Sequence, residues 1–338
     1  MTRLHTSSNS VTVHDVARVA NVSAITVSRA LNNPDQLSAS TLTRVLQAVE
    51  QTGYVPNLLA KGLNAKKSAR LVAALIPTLS GPVFSETIQA LMQKLTAHGY
   101  QLILGQSGYD GELQEDALLN ALIGRRPDGI VLTGVLHSDQ GCRRLRAAGI
   151  PVVETWDLSD TPIDMLVGFS HEQVGIKVCE FFHQRGRRYP ALLSAQDVRA
   201  TRRCKAFIER AAELGIGPVR HLRLPAPTTL AIGRSGLSQL LRDFPDVDSV
   251  FCSSDMLALG VLTEAQARGL QVPRQLAVVG FGDLDFAASL HPALTTVRID
   301  GNAIGAQAAD FIIARAAGLD PGKRIVDIGF SIMEREST

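Results

Sequence analysis

The chain has 338 residues, 45% of them hydrophobic and 20% charged, with a formal net charge of +2. Those proportions exclude a disordered chain, and no run approaches the roughly 18–20 apolar residues of a membrane span. Cys142, Cys179, Cys204 and Cys252 lie apart, with no CxxC and no Cys/His cluster. That pattern argues against a disulfide framework or a structural zinc site and suits a reducing, cytoplasmic location. The opening MTRLHTSSNS has no apolar stretch, so no secretory signal is expected.

The charge is unevenly spread. Residues 1–70 carry eight Lys/Arg against three acids, a balance of +5, which leaves the remainder at −3. A basic head on a slightly acidic body points to a polyanion as partner for the head.

Residues 1–10 are polar and read as a disordered arm. From residue 11 the spacing turns helical: Val13, Val16, Ala17 and Ala20 recur at i, i+3, i+4 and i+7. Asn21 tolerates the left-handed conformation that ends a helix. Ser23 then caps a second helix to about Leu31, with Val22, Val27 and Leu31 turned toward the first. A third runs from about Ser40 to Thr52, with Leu42, Val45, Leu46 and Val49 as its apolar stripe and Gly53 as its stop. Residues 11–55 are thus expected to form one helical domain. Pro56 disfavours helix at Val55. Asn57 caps a short helix over Leu58–Asn64, so 56–69 reads as a hinge and linker.

From Leu71 the rhythm is strand, loop, helix. Strand-like runs recur at Leu71–Ile76, Gln101–Gly105, Gly129–Thr133, Pro151–Trp156, Ala191–Ser194, Ser249–Ser253, Leu276–Gly280 and Leu294–Ile299. Helical spacing fills Phe84–His98 and Met256–Arg268 between them. Such alternation specifies an α/β fold with parallel sheets. Residues 70–338 exceed one core, so two parallel-sheet subdomains are expected, with a cleft near residue 160.

The first two helices have the form of a helix–turn–helix, whose second helix meets base edges in the DNA major groove. Its candidates are Ser23, Ala24, Ile25, Thr26, Ser28 and Arg29, together with Thr12 at the start of the first helix. Arg29 suits a guanine edge, Thr26 and Ser28 suit phosphates or bases, and Ala24 and Ile25 offer apolar contact.

These residues carry a family resemblance. Asp15-Val16-Ala17, Val22-Ser23, Thr26-Val27-Ser28-Arg29 and Gly53-Tyr54-Val55-Pro56-Asn57 resemble the head of the lactose-repressor (LacI/GalR) family of bacterial transcription regulators. The likeness continues through Ser253–Gly260 and Val278-Val279-Gly280-Phe281, and so covers nearly the whole chain. Asn21 stands where the family usually has Gly. The resemblance implies a helix–turn–helix head, a hinge helix and a core like a periplasmic sugar-binding protein. It also implies a homodimer on a near-palindromic operator, released or retained by a small effector in the cleft. Leu63 matches the hinge leucine that wedges into the minor groove, and Asn57 matches a hinge position near the backbone. Arg203 matches an arginine that holds effector oxygens. Ser254 and Asp255 match a loop beside the effector, although Asp255 could instead cap the following helix. Phe84 matches a cleft-lining position. Trp156, Glu154 and His137 lie at strand ends, where open α/β sheets bind ligands.

Many relatives carry an aspartate directly after the aromatic of this last motif; here that place is Gly282, with Asp283 next. Losing a carboxylate while keeping Arg203 suits an anionic effector. Ser80-Gly81-Pro82-Val83-Phe84, Pro151-Val152-Val153-Glu154 and Val167-Gly168-Phe169 resemble the gluconate-repressor branch, which implies gluconate or a ketogluconate. A neutral sugar or a purine as effector, or a sugar receptor with no DNA role, remain alternatives. An enzyme is not expected. Gly280-Phe281-Gly282 begins a dinucleotide fingerprint, but Asp285 breaks it, and no GxxxxGK[ST], HExxH or GxSxG with a plausible triad occurs. No cofactor or metal is expected. The last residues lack leucine heptads, so a dimer without an added tetramerisation helix is expected.

Overall fold

A computed structural model describes residues 11–55, 69–79, 82–108, 112–135 and 138–338. The chain divides into two compact units, Met1–Lys67 and Ser68–Thr338.

In the first unit α1 (Val13–Ala20), α2 (Ala24–Asn32) and α3 (Ala39–Thr52) pack around a small core. Val16, Ala17 and Ala20 from α1 meet Val27 and Ala30 from α2 and Val45 and Ala48 from α3. Thr12 begins α1: its backbone N–H and hydroxyl both donate to the Asp15 carboxylate, at 2.9 and 2.7 Å. These bonds hold Asp15 below its usual value. Asn21 ends α1 at φ 51°, as its residue type allows. Ser23 Oγ accepts from the Thr26 N–H at 3.1 Å to open α2. One expectation is corrected. Leu46 is 48% exposed, and Ala48 fills the core instead, because the buried stripe of α3 turns about Val45 and Ala48.

The second unit holds two six-stranded sheets. Its first lobe begins with β1 (Leu71–Ile76), α4 (Ser85–Ala97), β2 (Gln101–Gln106), α5 (Glu112–Ile123), β3 (Gly129–Thr133), α6 (Asp139–Ala148), β4 (Val152–Thr155) and β5 (Met165–Gly168). The chain then passes to the second lobe. That lobe takes α7 (His171–Gln184), β6 (Pro190–Ala195), α8 (Val198–Glu213), β7 (Arg220–Leu224), α9 (Leu230–Asp243), β8 (Ser249–Cys252), α10 (Asp255–Ala267), β9 (Ala277–Phe281) and β10 (Thr295–Arg298). It returns through α11 (Gly301–Ala316) and β11 (Ile325–Asp327) to the first lobe, and finishes with β12 (Ser331–Met333) in the second. The sheet orders are β2-β1-β3-β4-β5-β11 and β7-β6-β8-β9-β10-β12. Pairing is parallel except for β12, which runs antiparallel to β10.

The first crossing therefore follows Gly168, not residue 160. The sequence reading missed β5, a short fourth neighbour on the buried sheet, along with β7, β11 and β12. All three passages between lobes lie side by side. Gly168 pairs with Asp327, and Arg298 pairs with Ser331.

Both sheets follow the 2-1-3-4-5 order, so each opens a crevice at the carboxyl ends of its strands, where the strand order reverses. One apolar cluster joins the lobes, with Phe84, Trp156 and Phe169 from the first and Phe207, Phe251 and Phe281 from the second. Tight helix packing fixes the second lobe's crevice. A Cβ on Gly175 of α7 would stand 2.1 Å from the backbone oxygen of Arg203 on α8, so only glycine allows this approach.

Candidate functional site

Two surfaces carry the chemistry expected from the sequence. The first is α2. Its buried face is Val27 and Ala30, while Ile25 is 70% exposed and Ser28 and Arg29 are also exposed. Ser23 and Thr26 are partly occupied: their hydroxyls meet at 2.9 Å within the cap. Ala24 is half-buried beside them. Leaving an isoleucine in water next to an arginine forgoes core burial, which suits a surface that meets a partner. Asn57, Leu63 and His137 lie outside the described residues.

The second surface is a cavity between the two crevices of the core, holding about 150 Å³. That is room on the order of ten waters, enough for a small ligand. Each wall comes from a strand's carboxyl end. Phe84 follows β1, Trp156 follows β4, His171 follows β5, and Arg199 and Arg203 follow β6. Thr228 and Thr229 follow β7, Ser254 and Asp255 follow β8, and Phe281 ends β9.

The aromatic wall is ordered by its own contacts. Trp156 has φ 64°, a strained backbone for a bulky residue. Its indole N–H donates to Thr87 Oγ1 at 3.0 Å, and its ring meets Phe84 edge-on at a centroid distance of 5.0 Å. The ring is therefore both core and cavity wall.

The cationic wall is built on α8. Arg203 is buried, with its guanidinium 4.0 Å from the centre of the Phe281 ring. Its Nη1 donates to His171 Nδ1 at 2.9 Å and its Nη2 to the Ser253 carbonyl at 3.3 Å. His171 Nε2 lies 3.0 Å from the Trp156 carbonyl and must donate to it, so the ring is neutral with its proton on Nε2. Burial, and then Arg203, hold His171 well below its usual value. Neither neutral partner cancels the arginine's charge. Nε of Arg203 and Nη1 of Arg199 are buried, and among the described residues neither has a hydrogen-bond partner. Arg202 differs: it donates to Glu172 at 2.6 Å and is ion-paired with the buried Asp157. Burial pushes Asp157 up against the pull of Arg202.

The carboxylates sort themselves by their partners. Asp255 reaches the cavity wall, but its Oδ1 accepts from Thr296 Oγ1 at 2.6 Å and its Oδ2 from the Leu284 N–H at 2.8 Å. Burial pushes it up to about 6. It does not cap α10. Ser254 does, accepting from the Leu257 N–H at 3.3 Å, while Asp255 is the first helical residue. Two expected residues are absent from the lining. Glu154 turns away from the cavity to accept from the Ile163 N–H at 2.6 Å, and that bond to the loop before β5 is what occupies its carboxylate. Asp283 is ion-paired with Arg335 at 2.7 Å. Gly282, at φ 129°, holds the backbone turn between Phe281 and Asp283.

Comparison with known proteins decides what frame this is. Residues 12–57 match the model described as bacterial regulatory proteins, lacI family. Residues 179–338 match the periplasmic binding protein-like domain. The HTH-type transcriptional regulator GntR of Pseudomonas aeruginosa is 36% identical over 329 residues, covering 97% of this chain and 95% of that protein. This chain is a member of the lacI family of bacterial transcriptional regulators. As a lacI-family chain it shares its fold with a LacI-family regulator from Silicibacter pomeroyi, at a TM-score of 0.90 and 32% identity, covering 97% and 99% of the two chains. It is also similar to the lac repressor dimer bound to operator and the anti-inducer ONPF, at a TM-score of 0.81 and 25% identity, covering 98% and 99%. The resemblance read from the sequence is borne out, GntR-type relatives included. These relatives are regulators, not enzymes, and the lacI-family chain is a DNA-binding transcriptional regulator. No described helix is long and apolar enough to cross a membrane.

Of the expected effector residues, the structure brings Phe84, Trp156, Arg203, Ser254 and Asp255 to one cavity. Sequence reading missed His171, the first residue of α7, and Thr228 and Thr229, which lie just before α9; none of the three carries a motif. The Ser170-His171-Glu172 start of α7 was the available hint.

Proposed function

We propose that this regulator represses genes of sugar or sugar-acid metabolism. It does so as a homodimer on a near-palindromic operator, with gluconate or a ketogluconate in the core cavity as effector. The observation that carries the effector reading is Arg203: a buried guanidinium in the cavity wall, held by neutral partners, with Nε unpaired. A desolvated cation with a free donor favours an anion over a neutral guest. The likeness to GntR-type regulators supports the same class.

On the DNA side, Ile25, Ser28 and Arg29 of α2 meet base edges, with Ser23, Ala24, Thr26 and Thr12 at the flank. Asn57 and Leu63, in a hinge over 56–69, engage the minor groove at the operator centre. The lac repressor dimer bound to operator supports this arrangement. The effector shifts the angle between the lobes and thereby operator affinity, and linkage requires the operator to change effector affinity by the same factor.

Isothermal titration with gluconate, 2-ketogluconate, gluconate 6-phosphate, galactose and a purine tests the effector class. Saturable binding of a sugar acid is expected, and binding of galactose or purine alone refutes it. Operator retention that weakens steeply with salt is expected for the head.

A further inference from the structure

The sugar-acid reading uses Arg203 and leaves Arg199 without a role. Arg199 stands one helical turn before Arg203 on α8, a spacing that puts both on one face, and both line the cavity. Arg202, between them, is consumed by Asp157 and Glu172. Among the described residues neither Arg199 nor Arg203 forms an ion pair. Each instead keeps one buried nitrogen without a hydrogen-bond partner, Nη1 on Arg199 and Nε on Arg203. Arg199 also reaches between the lobes: its guanidinium lies over the Phe84 ring at 5.4 Å.

Two like charges one turn apart repel, and an unpaired buried donor costs desolvation energy that no neighbour returns. A carboxylate in the cavity relieves the repulsion. It has two oxygens and about four acceptor sites, and one negative charge to set between two positive ones. A sugar hydroxyl can fill a donor but leaves the repulsion in place.

Resting on the sugar-acid reading, we propose that Arg199 and Arg203 grip one ligand carboxylate together. Arg199 is then the residue that selects the acid over its neutral analogue. Arg203 is anchored by His171 and Ser253 and orients the pair. Arg199 is half-buried and, among the described residues, is held by the Phe84 face and by no ion pair, so its charge is the one most available to the ligand.

The test uses the full-length protein, calorimetry, and the emission of Trp156, the single tryptophan. The probes are D-gluconate, 2-ketogluconate and the neutral D-gluconamide, against wild type, Arg199→Met and Arg199→Lys. Losing one charge-assisted bond predicts about a ten- to hundredfold weaker acid affinity in Arg199→Met. Gluconamide binding should stay within about twofold of wild type, and Arg199→Lys should keep part of the acid affinity. Acid binding unchanged in Arg199→Met overturns the pairing while the sugar-acid reading stands. An equal loss of acid and amide also overturns it, since that marks a structural role. A wild type that binds neither acid overturns both.

Discussion

Asp255 gives the sharpest stability prediction. Its carboxyl is buried beside the cavity and raised from 3.8 to about 6, burial being the main cause. A carboxyl raised by folding favours the protonated state, so its penalty is absent below about pH 3.8 and grows as pH rises through 6. Fully developed, a shift of this size is worth about 3 kcal/mol. Between pH 5 and 7.5 the growth alone is about 1–2 kcal/mol. In Asp255→Asn the titration is gone, and whatever the amide does to the Thr296 and Leu284 bonds is independent of pH. Urea unfolding of both proteins, followed by Trp156 emission at the two pH values, isolates the effect as a double difference. Wild type should lose about 1–2 kcal/mol more than the variant on going to pH 7.5. A difference that is flat with pH, or of opposite sign, refutes a desolvated carboxyl at this site.

Two further outcomes are expected. Gly175→Ala forces a methyl into the Arg203 backbone oxygen, 2.1 Å away. It should destabilise the core by about 2 kcal/mol even after the gain in helix propensity, and it should weaken sugar-acid binding by displacing Arg203, both readable by unfolding and by Trp156 titration. Ile25→Ala should leave thermal stability within about 0.5 kcal/mol, because the side chain is 70% exposed. In a fluorescence anisotropy assay it should lower operator affinity; unchanged affinity would remove Ile25 from the DNA face.

The helical head was legible nearly residue by residue. Its caps are local: Ser23 and Asn21 do their work within a few residues. The eight strand runs read from apolar clustering are strands in the structure, with ends shifted by a residue or two. β7 escaped notice because RHLRL places charged residues on an edge strand. β11 and β12 are three residues each and gain meaning only from partners far along the chain. The cavity was half legible. Phe84, Trp156 and Arg203 sit in recognisable surroundings, whereas Glu154 was placed by its strand end and its carboxylate is taken up by the Ile163 N–H, nine residues on. His171 carries no local pattern, since its partner Arg203 lies 32 residues away.

The three side-by-side passages between the lobes have a mechanical consequence. A single strand between two bodies is a swivel, free to twist. Three strands bonded edge to edge through Gly168 with Asp327 and Arg298 with Ser331 behave as a strap. A strap bends readily about one axis and resists torsion and sliding, so the lobes keep essentially one soft degree of freedom. Whatever binds in the cavity can then be transmitted outward as one opening angle, with little of its binding energy dissipated in other motions.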